Sequence, residues 1–323
     1  MWATEQPRIA VVGAGIGGLT LAIALRQHGL DADIFEQTSE LREVGAAVAL
    51  SSNATRFYEQ FGLGPQFASR GSDVSALIFR DGRSGRVIGE HQAGTDYRRR
   101  FGAPYVGIHR ADLQAILSSA VGLERIHLRK RLVGIDDSGP RTVLRFDDGT
   151  TTDADLVVGA DGARSFVRRW MLGYDDALYS GCSGFRGIVP VHKVPSLPAR
   201  TALQFWMGPG GHLLHYPMGH DHINFLLVER HPAPWPWCGA SWCAESPSRV
   251  TCPRVHRPSG GRWNRPQRSL TGTAVIISTT AGCHPAKWRI CSPSLAGITQ
   301  SRRGHGAGWR STSRKLMWSW PIG

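Results

Sequence analysis

The amino-terminal part of the chain alternates between a strand pattern and a helix pattern. Ile9–Val12 is a short β-branched run, and apolar residues then recur at helical spacing over residues 19–25, up to Gly29. Ala32–Phe35 is a second apolar run, and it ends at Glu36. This order predicts a βαβ unit with two buried parallel strands.

Further apolar runs continue the α/β pattern as far as residue 162. Residues 110–120 have helical spacing, and strand-like runs at Leu132–Asp136 and Thr142–Phe146 flank a Ser-Gly-Pro turn. Residues 156–158 form another short apolar run, which leads into the sequence Gly-Ala-Asp-Gly at 159–162. We therefore predict a third buried strand at 156–158.

The pattern changes between Cys182 and Val228 to short strands with few helical periods. The runs are GFRGIVPV, TALQFWM, GGHLLHYPM and HINFLLVE. They are typical of an antiparallel sheet, and so they indicate a second domain. Beyond Trp235 the only sustained apolar run is at residues 274–277.

The charge is concentrated at one end of the 323-residue chain. The net charge is +13, yet the first 230 residues carry 25 basic and 24 acidic residues, and the rest carry 13 basic residues and the single acid Glu245. A basic excess confined to a tail argues against a nucleic-acid partner. The sequence shows no long apolar run and no secretory leader, so we expect a cytoplasmic protein with no membrane partner.

The chemistry-bearing motif of the first half is a glycine cluster. Gly13, Gly15 and Gly18 form G-x-G-x-x-G between a strand and a helix, which suits a pyrophosphate at the helix amino terminus. Glu36 follows 18 residues after Gly18 and can accept both hydroxyls of an adenosine ribose. The nucleotide is then FAD or NAD rather than NADP, and the alternative is a purely structural glycine turn.

A second motif decides between the two dinucleotides. The stretch LVVGADGARS at 156–165, followed by Arg168, resembles the Asp-Gly motif of the FAD-dependent aromatic hydroxylases. These single-component flavoprotein monooxygenases include salicylate, 3-hydroxybenzoate and 6-hydroxynicotinate hydroxylases. The resemblance implies that Asp161 and Gly162 contact the flavin pyrophosphate and take part in pyridine-nucleotide binding.

Three further segments fit this resemblance. Residues 40–47 are similar to the loop that runs past the flavin, which would place Arg42 near the cofactor, and HRADL at 109–113 is similar to a motif whose arginine, here Arg110, binds FAD. GGHLLHYP at 210–217 resembles the strand facing the flavin ring. His212 and Tyr216 lie four residues apart there and so share one face of a strand. Solvated arginines and a packed His–Tyr pair are the alternatives.

The resemblance also implies a fold, cofactors and a reaction. We expect an α/β protein with a Rossmann-like FAD-binding domain of the p-hydroxybenzoate hydroxylase type at 1–178, with an excursion near 73–100 into the second domain, and an antiparallel substrate sheet at 179–235. NADH would reduce FAD, and O₂ would then form a flavin C4a-hydroperoxide that hydroxylates a phenolic aromatic acid. His212 would act as the base, with Tyr216 as a relay. The cysteines form no Cys-x-x-Cys pairs, so no metal is expected.

The tail departs from the family pattern. The family carries a third motif, G-D-A-A-H-x-x-x-P, whereas residues 271–275 here read TGTAV, with neither the acid nor the histidine. The periodicity-free composition of 236–323 suggests a frameshift near codon 236, against a sequencing error or a real basic tail as rivals. A catalytically inactive, truncated or frameshifted remnant with weak or no nucleotide binding is therefore the alternative function, and a basic-tailed nucleic-acid binder is a third.

Overall fold

The computed structural model describes residues 6–41, 47–173, 179–230 and 273–276. The helices are α1 (Ile16–Gln27), α2 (Ser52–Gln60), α3 (Gly64–Arg70), α4 (Thr95–Phe101), α5 (Arg110–Val121) and α6 (Phe166–Leu172). The strands are β1 (Ile9–Val12), β2 (Ala32–Phe35), β3 (Ala47–Leu50), β4 (Ser72–Asp73), β5 (Ala76–Asp81), β6 (Val87–Gln92), β7 (Val106–His109), β8 (Ile126–His127), β9 (Leu132–Asp136), β10 (Thr142–Phe146), β11 (Thr151–Ala154), β12 (Leu156–Gly159), β13 (Cys182–Pro190), β14 (Leu203–Gly208), β15 (Gly211–Met218), β16 (His222–Arg230) and β17 (Thr273–Ile276). Within these ranges no helix has the length and apolar character needed to cross a membrane.

The first sheet is parallel and has the order β17-β12-β1-β2-β8. Ile9 lies opposite Leu156 on one side and Ala32 on the other. The predicted βαβ unit and the predicted strand at 156–158 are therefore confirmed. The rest of the tail, 236–323, lies outside the described residues, so the frameshift hypothesis stays a prediction.

Both faces of the first sheet are covered, which explains its continuous apolar runs. Ile9, Val11 and Val158 belong to a core that α1 and α5 complete, whereas Val12 and Val157 point the other way, into a core with Leu144 and Phe146 of the β11-β10-β9 sheet. Alternate side chains of one strand thus fill two different cores.

The second sheet has the order β13-β16-β15-β14-β5-β6. It was expected to be antiparallel, and every pair is, except that β14 and β5 run parallel, with Leu203 opposite Leu77. A parallel pair requires a long crossover, and the chain between β5 and β14 provides one. No hairpin turn sets the direction of this pair.

A small sheet, β3-β7-β4, connects the two large ones. Its strand β7 passes so close to β15 that a Cβ on Gly107 would lie 2.0 Å from the carbonyl oxygen of Pro217 and 3.1 Å from Cδ2 of Tyr216. Only glycine permits this approach. Three residues later the chain enters α5 beside the first sheet, so β7 fixes one face of the second sheet relative to the first.

Candidate functional site

The glycine loop, residues 13–18, lies at the carboxyl end of β1. Gly13 has φ +108°, and a Cβ there would lie 2.5 Å from the carbonyl oxygen of Ala160, while a Cβ on Gly18 would lie 2.0 Å from the carbonyl oxygen of Gly13. Close backbone contacts within the protein therefore require glycine at both positions, whether or not a ligand is bound. A Cβ on Gly15, in contrast, would meet no atom within 4 Å, so the space above the second glycine is open, as the approach of a pyrophosphate requires.

The amino terminus of α1 opens into that space. Gly15 is its N-cap, no acidic side chain lies in its first turn, and no side chain among the described residues caps it. The first backbone N–H groups of this 12-residue helix are therefore available to an anion. The residues present fit a bound dinucleotide phosphate.

Glu36 is held against the loop by backbone hydrogen bonds. The N–H of Ala14 donates to its Oε2 at 2.8 Å, and the N–H of Thr38 donates to its Oε1 at 2.9 Å. An ionised carboxylate has about four acceptor positions, so each oxygen retains capacity for a further donor. The carboxylate predicted to receive ribose hydroxyls is thus fixed in orientation by the loop that it adjoins.

The Asp-Gly turn, residues 160–163, lies directly beside the glycine loop. The N–H of Ala160 donates to the carbonyl oxygen of Val12 at 2.8 Å. The Asp161 side chain, however, accepts hydrogen bonds from the Ser165 hydroxyl and from the N–H groups of Phe166, at 2.6 Å, and Val167, at 3.2 Å. Its Oδ2 therefore accepts the first N–H groups of α6, and its Oδ1 holds the hydroxyl of the N-cap residue Ser165. Gly162 lies in the same turn with φ +77°.

Helix α5 supplies a second polar contact to the loop. The buried Gln114 donates from Nε2 to the carbonyl oxygen of Ala14 at 3.0 Å. Arg110 is partly buried and lies one helical turn before Gln114, so both face the same side of α5. Arg110 thus lies on the side of α5 that carries Gln114, and its role as a cofactor ligand stays a prediction. Arg42, the other predicted arginine, lies outside the described residues.

His212 and Tyr216 lie on one face of β15. His212 contacts Phe205, with ring centroids 5.6 Å apart, and Tyr216 is 4% exposed beside β7. Burial raises the pKa of Tyr216 to about 12, Arg186 acts in the opposite direction, and Tyr105 adds to the rise. Tyr216 is therefore a neutral hydrogen-bonding group. Four residues of strand separate the two Cα atoms by about 13 Å, so a relay between them needs an intervening group.

His215 lies on the opposite face of β15 and was not among the predicted residues. It is 3% exposed, and burial, with a smaller contribution from Arg80, lowers its pKa to about 4. Neither ring nitrogen has a hydrogen-bond partner in the part of the chain that the structure describes. His215 and His212 are three residues apart on one strand, so their side chains point to opposite faces. The spacing in the sequence already indicates this difference.

Two other site residues carried weak sequence signals. Gln114 occupies a buried position on α5, where a polar residue interrupts an apolar helical face. Asn224 lies directly opposite Tyr216 on the neighbouring strand and is 2% exposed. In both cases the sequence signal was a polar residue at a position where the surrounding pattern predicts an apolar one.

Comparisons with known proteins show which proteins the chain is similar to. A family model described as FAD binding domain matches residues 6–235. The chain is 36% identical to 3-amino-4-hydroxybenzoate 2-monooxygenase of Streptomyces cremeus, over 86% of this chain and 72% of that protein. It is 30% identical to 3-hydroxybenzoate 6-hydroxylase 1 of Aquipseudomonas alcaligenes, over 80% and 68%.

A solved structure shares the fold. Klebsiella pneumoniae HpxO, in a complex with FAD and uric acid, matches with a TM-score of 0.64 and 26% identity, over 71% of this chain and 58% of that chain. This chain therefore spans somewhat more than half the length of that structure. The Streptomyces match, at 86% of this chain, necessarily continues past residue 235, which is where the family match ends.

Proposed function

The chain belongs to the FAD-dependent aromatic hydroxylases, and on that premise we propose that it hydroxylates a phenolic aromatic acid with NADH as reductant and O₂ as co-substrate. The observation that carries the proposal is the adjacency of the glycine loop and the Asp-Gly turn, where a Cβ on Gly13 would lie 2.5 Å from the carbonyl oxygen of Ala160. The two turns are in contact at the carboxyl ends of the neighbouring parallel strands β1 and β12. They can therefore form a single crevice for an extended dinucleotide.

The residues at this crevice either bind the cofactor or position the backbone that binds it. The open space above Gly15 and the first turn of α1 receive the pyrophosphate, Glu36 accepts the ribose hydroxyls, and Arg110 approaches from α5. Asp161 positions the Asp-Gly turn by capping α6. When bound and reduced, FAD supplies the activation of O₂ that ring hydroxylation requires.

The second sheet provides the place for the aromatic ring. Strand β7 touches Tyr216 through Gly107 and leads within three residues to Arg110, so the face that carries Tyr216 lies within reach of the crevice. Phe205 and Leu214 pack with Tyr216 on this face and exclude water. The neutral Tyr216 hydroxyl orients the substrate, and His212 accepts the proton of the ring hydroxyl.

Absorbance between 350 and 500 nm, recorded on the purified chain with added FAD, tests the proposal. The expected result is a bound-flavin spectrum and NADH oxidation stimulated by 3-hydroxybenzoate or 3-amino-4-hydroxybenzoate, with a hydroxylated product identified by mass spectrometry. A parallel assay with NADPH tests the choice of reductant. A protein that FAD does not reconstitute would instead support the inactive remnant.

A further inference from the structure

The face of the second sheet opposite to Tyr216 carries two neighbouring side chains whose buried polar atoms lack hydrogen-bond partners. Among the described residues, no group hydrogen-bonds to either ring nitrogen of His215 or to Nε1 of Trp206. The centroids of the two rings are 6.2 Å apart. A buried polar atom that is separated from water and has no partner is costly and rare in folded proteins. Two such side chains side by side therefore indicate a place for a polar ligand.

The two cross-strand neighbours of His215 do not serve its imidazole. Gln204 lies opposite His215 on β14, but its Oε1 accepts from Nε of Arg80 at 2.7 Å and its Nε2 donates to a backbone carbonyl oxygen at 3.1 Å. Phe225 lies opposite His215 on β16, and a Cβ on Gly187 of β13 would lie 2.1 Å from Cζ of its ring. The phenyl ring thus leans over β13, away from β15, and it does not fill the space beside the imidazole.

A positive charge lies beside these groups. Arg80 of β5 is opposite Trp206, and its guanidinium carbon lies 5.3 Å from the centre of the indole ring. The guanidinium donates to the neutral oxygens of Gln204 and Gly85, and in the ranges that the structure describes no carboxylate pairs with it. Its charge also acts on His215, because burial and then Arg80 lower the pKa of this histidine.

The acidic residues that the register places on the same face stand well away from His215. Glu90 of β6 is three strands away, and Glu229 of β16 is four residues along the sheet. Both separations come to about 14 Å between Cα atoms. A negatively charged ligand beside the imidazole would therefore meet hydrogen-bond donors and a cation, with little repulsion from these carboxylates.

We propose that Trp206, His215 and Arg80 form a binding site for a small monovalent anion of halide size. The indole N–H can only donate, and the imidazole offers one N–H when neutral and two when protonated. Arg80 compensates the charge of the ion. The site lies across β15 from His212 and Tyr216, so anion binding does not depend on the proposed hydroxylation.

A bound anion should change the titration of His215. A negative charge beside the imidazole favours its protonated form, so the anion raises the pKa of His215 from its lowered value. By linkage, the anion binds more tightly when the histidine is protonated, and its Kd should fall as the pH drops from 7.5 to 5.5.

Urea denaturation of the full chain tests the proposal, with chloride replacing gluconate at constant ionic strength. Chloride is the probe, and gluconate is too large for the site. Because the ion binds the folded chain, the folding equilibrium constant should rise about eleven-fold at a chloride concentration of ten times Kd, with a lower Kd at pH 5.5 than at pH 7.5. Trp206→Phe keeps an aromatic ring and removes the N–H, so it should abolish the rise. Trp170→Phe, on α6, is the matched control and should retain it.

Diffraction from crystals of the full chain soaked in bromide locates the ion without any variant. The expected anomalous peak lies within hydrogen-bond distance of Nε1 of Trp206 and of one ring nitrogen of His215. A water at that position, or no peak at all, would overturn the proposal. A bromide peak there would mean an adventitious ion only, and would equally overturn it, if chloride stabilised Trp206→Phe as much as the wild type.

Discussion

The Oε2 atom of Glu36 accepts the backbone N–H of Ala14 at 2.8 Å, so the carboxylate that ends β2 supports the glycine loop that ends β1. One side chain therefore has two tasks: it shapes the loop, and it faces the predicted position of the adenosine ribose. Changes at Glu36 affect both tasks together, and a comparison of substitutions separates them.

Replacing Glu36 should weaken FAD binding in proportion to the acceptors that are lost. We expect Glu36→Ala to raise Kd for FAD about ten- to a hundred-fold, because it removes both oxygens, and Glu36→Gln to raise it less, because one oxygen remains. Fluorescence titration of the apoprotein with FAD measures both values. The exposed Glu124→Gln, which removes a charge elsewhere, should bind FAD as the wild type does, and equal binding by all variants would contradict the role of Glu36.

Two glycines of one loop should respond to alanine in opposite ways. A Cβ at Gly18 would lie 2.0 Å from the carbonyl oxygen of Gly13, so Gly18→Ala should lower the free energy of unfolding by more than about 2 kcal/mol. Gly15→Ala meets no protein atom within 4 Å, so it should leave the apoprotein within about 1 kcal/mol of wild type and still impair FAD binding. Thermal unfolding of the apoproteins and FAD titration distinguish the two. If Gly15→Ala binds FAD normally, the open space is not the pyrophosphate site.

Asp161 should matter to folding more than its place in the motif suggests. Because its Oδ2 accepts the first N–H groups of α6 and its Oδ1 holds the N-cap residue Ser165, Asp161→Ala should lower the free energy of unfolding by about 1 to 2 kcal/mol. Urea denaturation of the apoprotein measures this loss. Asp221→Ala, in the exposed turn between β15 and β16, serves as the control and should change little. An apoprotein of wild-type stability carrying Asp161→Ala would show that the cap is dispensable.

His215 should make the protein less stable in mild acid. Its pKa in the folded chain, about 4, lies below the ordinary 6.5. Between these values the unfolded chain binds a proton that the folded chain does not, so the free energy of unfolding falls as the pH drops from 6.5 toward 4. The loss amounts to at most about 3 kcal/mol.

Urea denaturation at pH 7.5, 6 and 5 tests this expectation, because the window lies above the ordinary pKa of the aspartates. His215→Leu should flatten the dependence on pH, whereas His28→Gln, at the exposed end of α1, should preserve it. A slope that persists in His215→Leu would assign the effect to another group.

The sequence predicted those parts of the fold that depend on local patterns. The βαβ unit, the helix beginning at Arg110 and the two turns follow from apolar period and glycine spacing, because these features act over a few residues. The parallel pairing of β14 with β5 could not be predicted, since no hairpin connects them. Strand pairing at long range depends on the assembled core rather than on either run alone.

The candidate site was predictable in its backbone and less so in its side chains. Gly13, Gly15 and Glu36 follow a fixed spacing, and the structure brings them together. The acceptor role of Asp161 toward α6 was not foreseen, because a motif names a residue and does not say which neighbours its oxygens will reach. Asn224 became visible only when the register placed it opposite Tyr216.

Strand β17 has a consequence for the chain as it is being synthesised. It pairs with β12 along Leu156–Gly159, although more than a hundred residues separate the two strands. Until the ribosome has released residues 273–276, the outer backbone of β12 has no partner and is an open sheet edge, the kind of surface on which unrelated chains associate. Completion of the first sheet on the β12 side therefore waits for these four residues, which are translated well after the crevice itself.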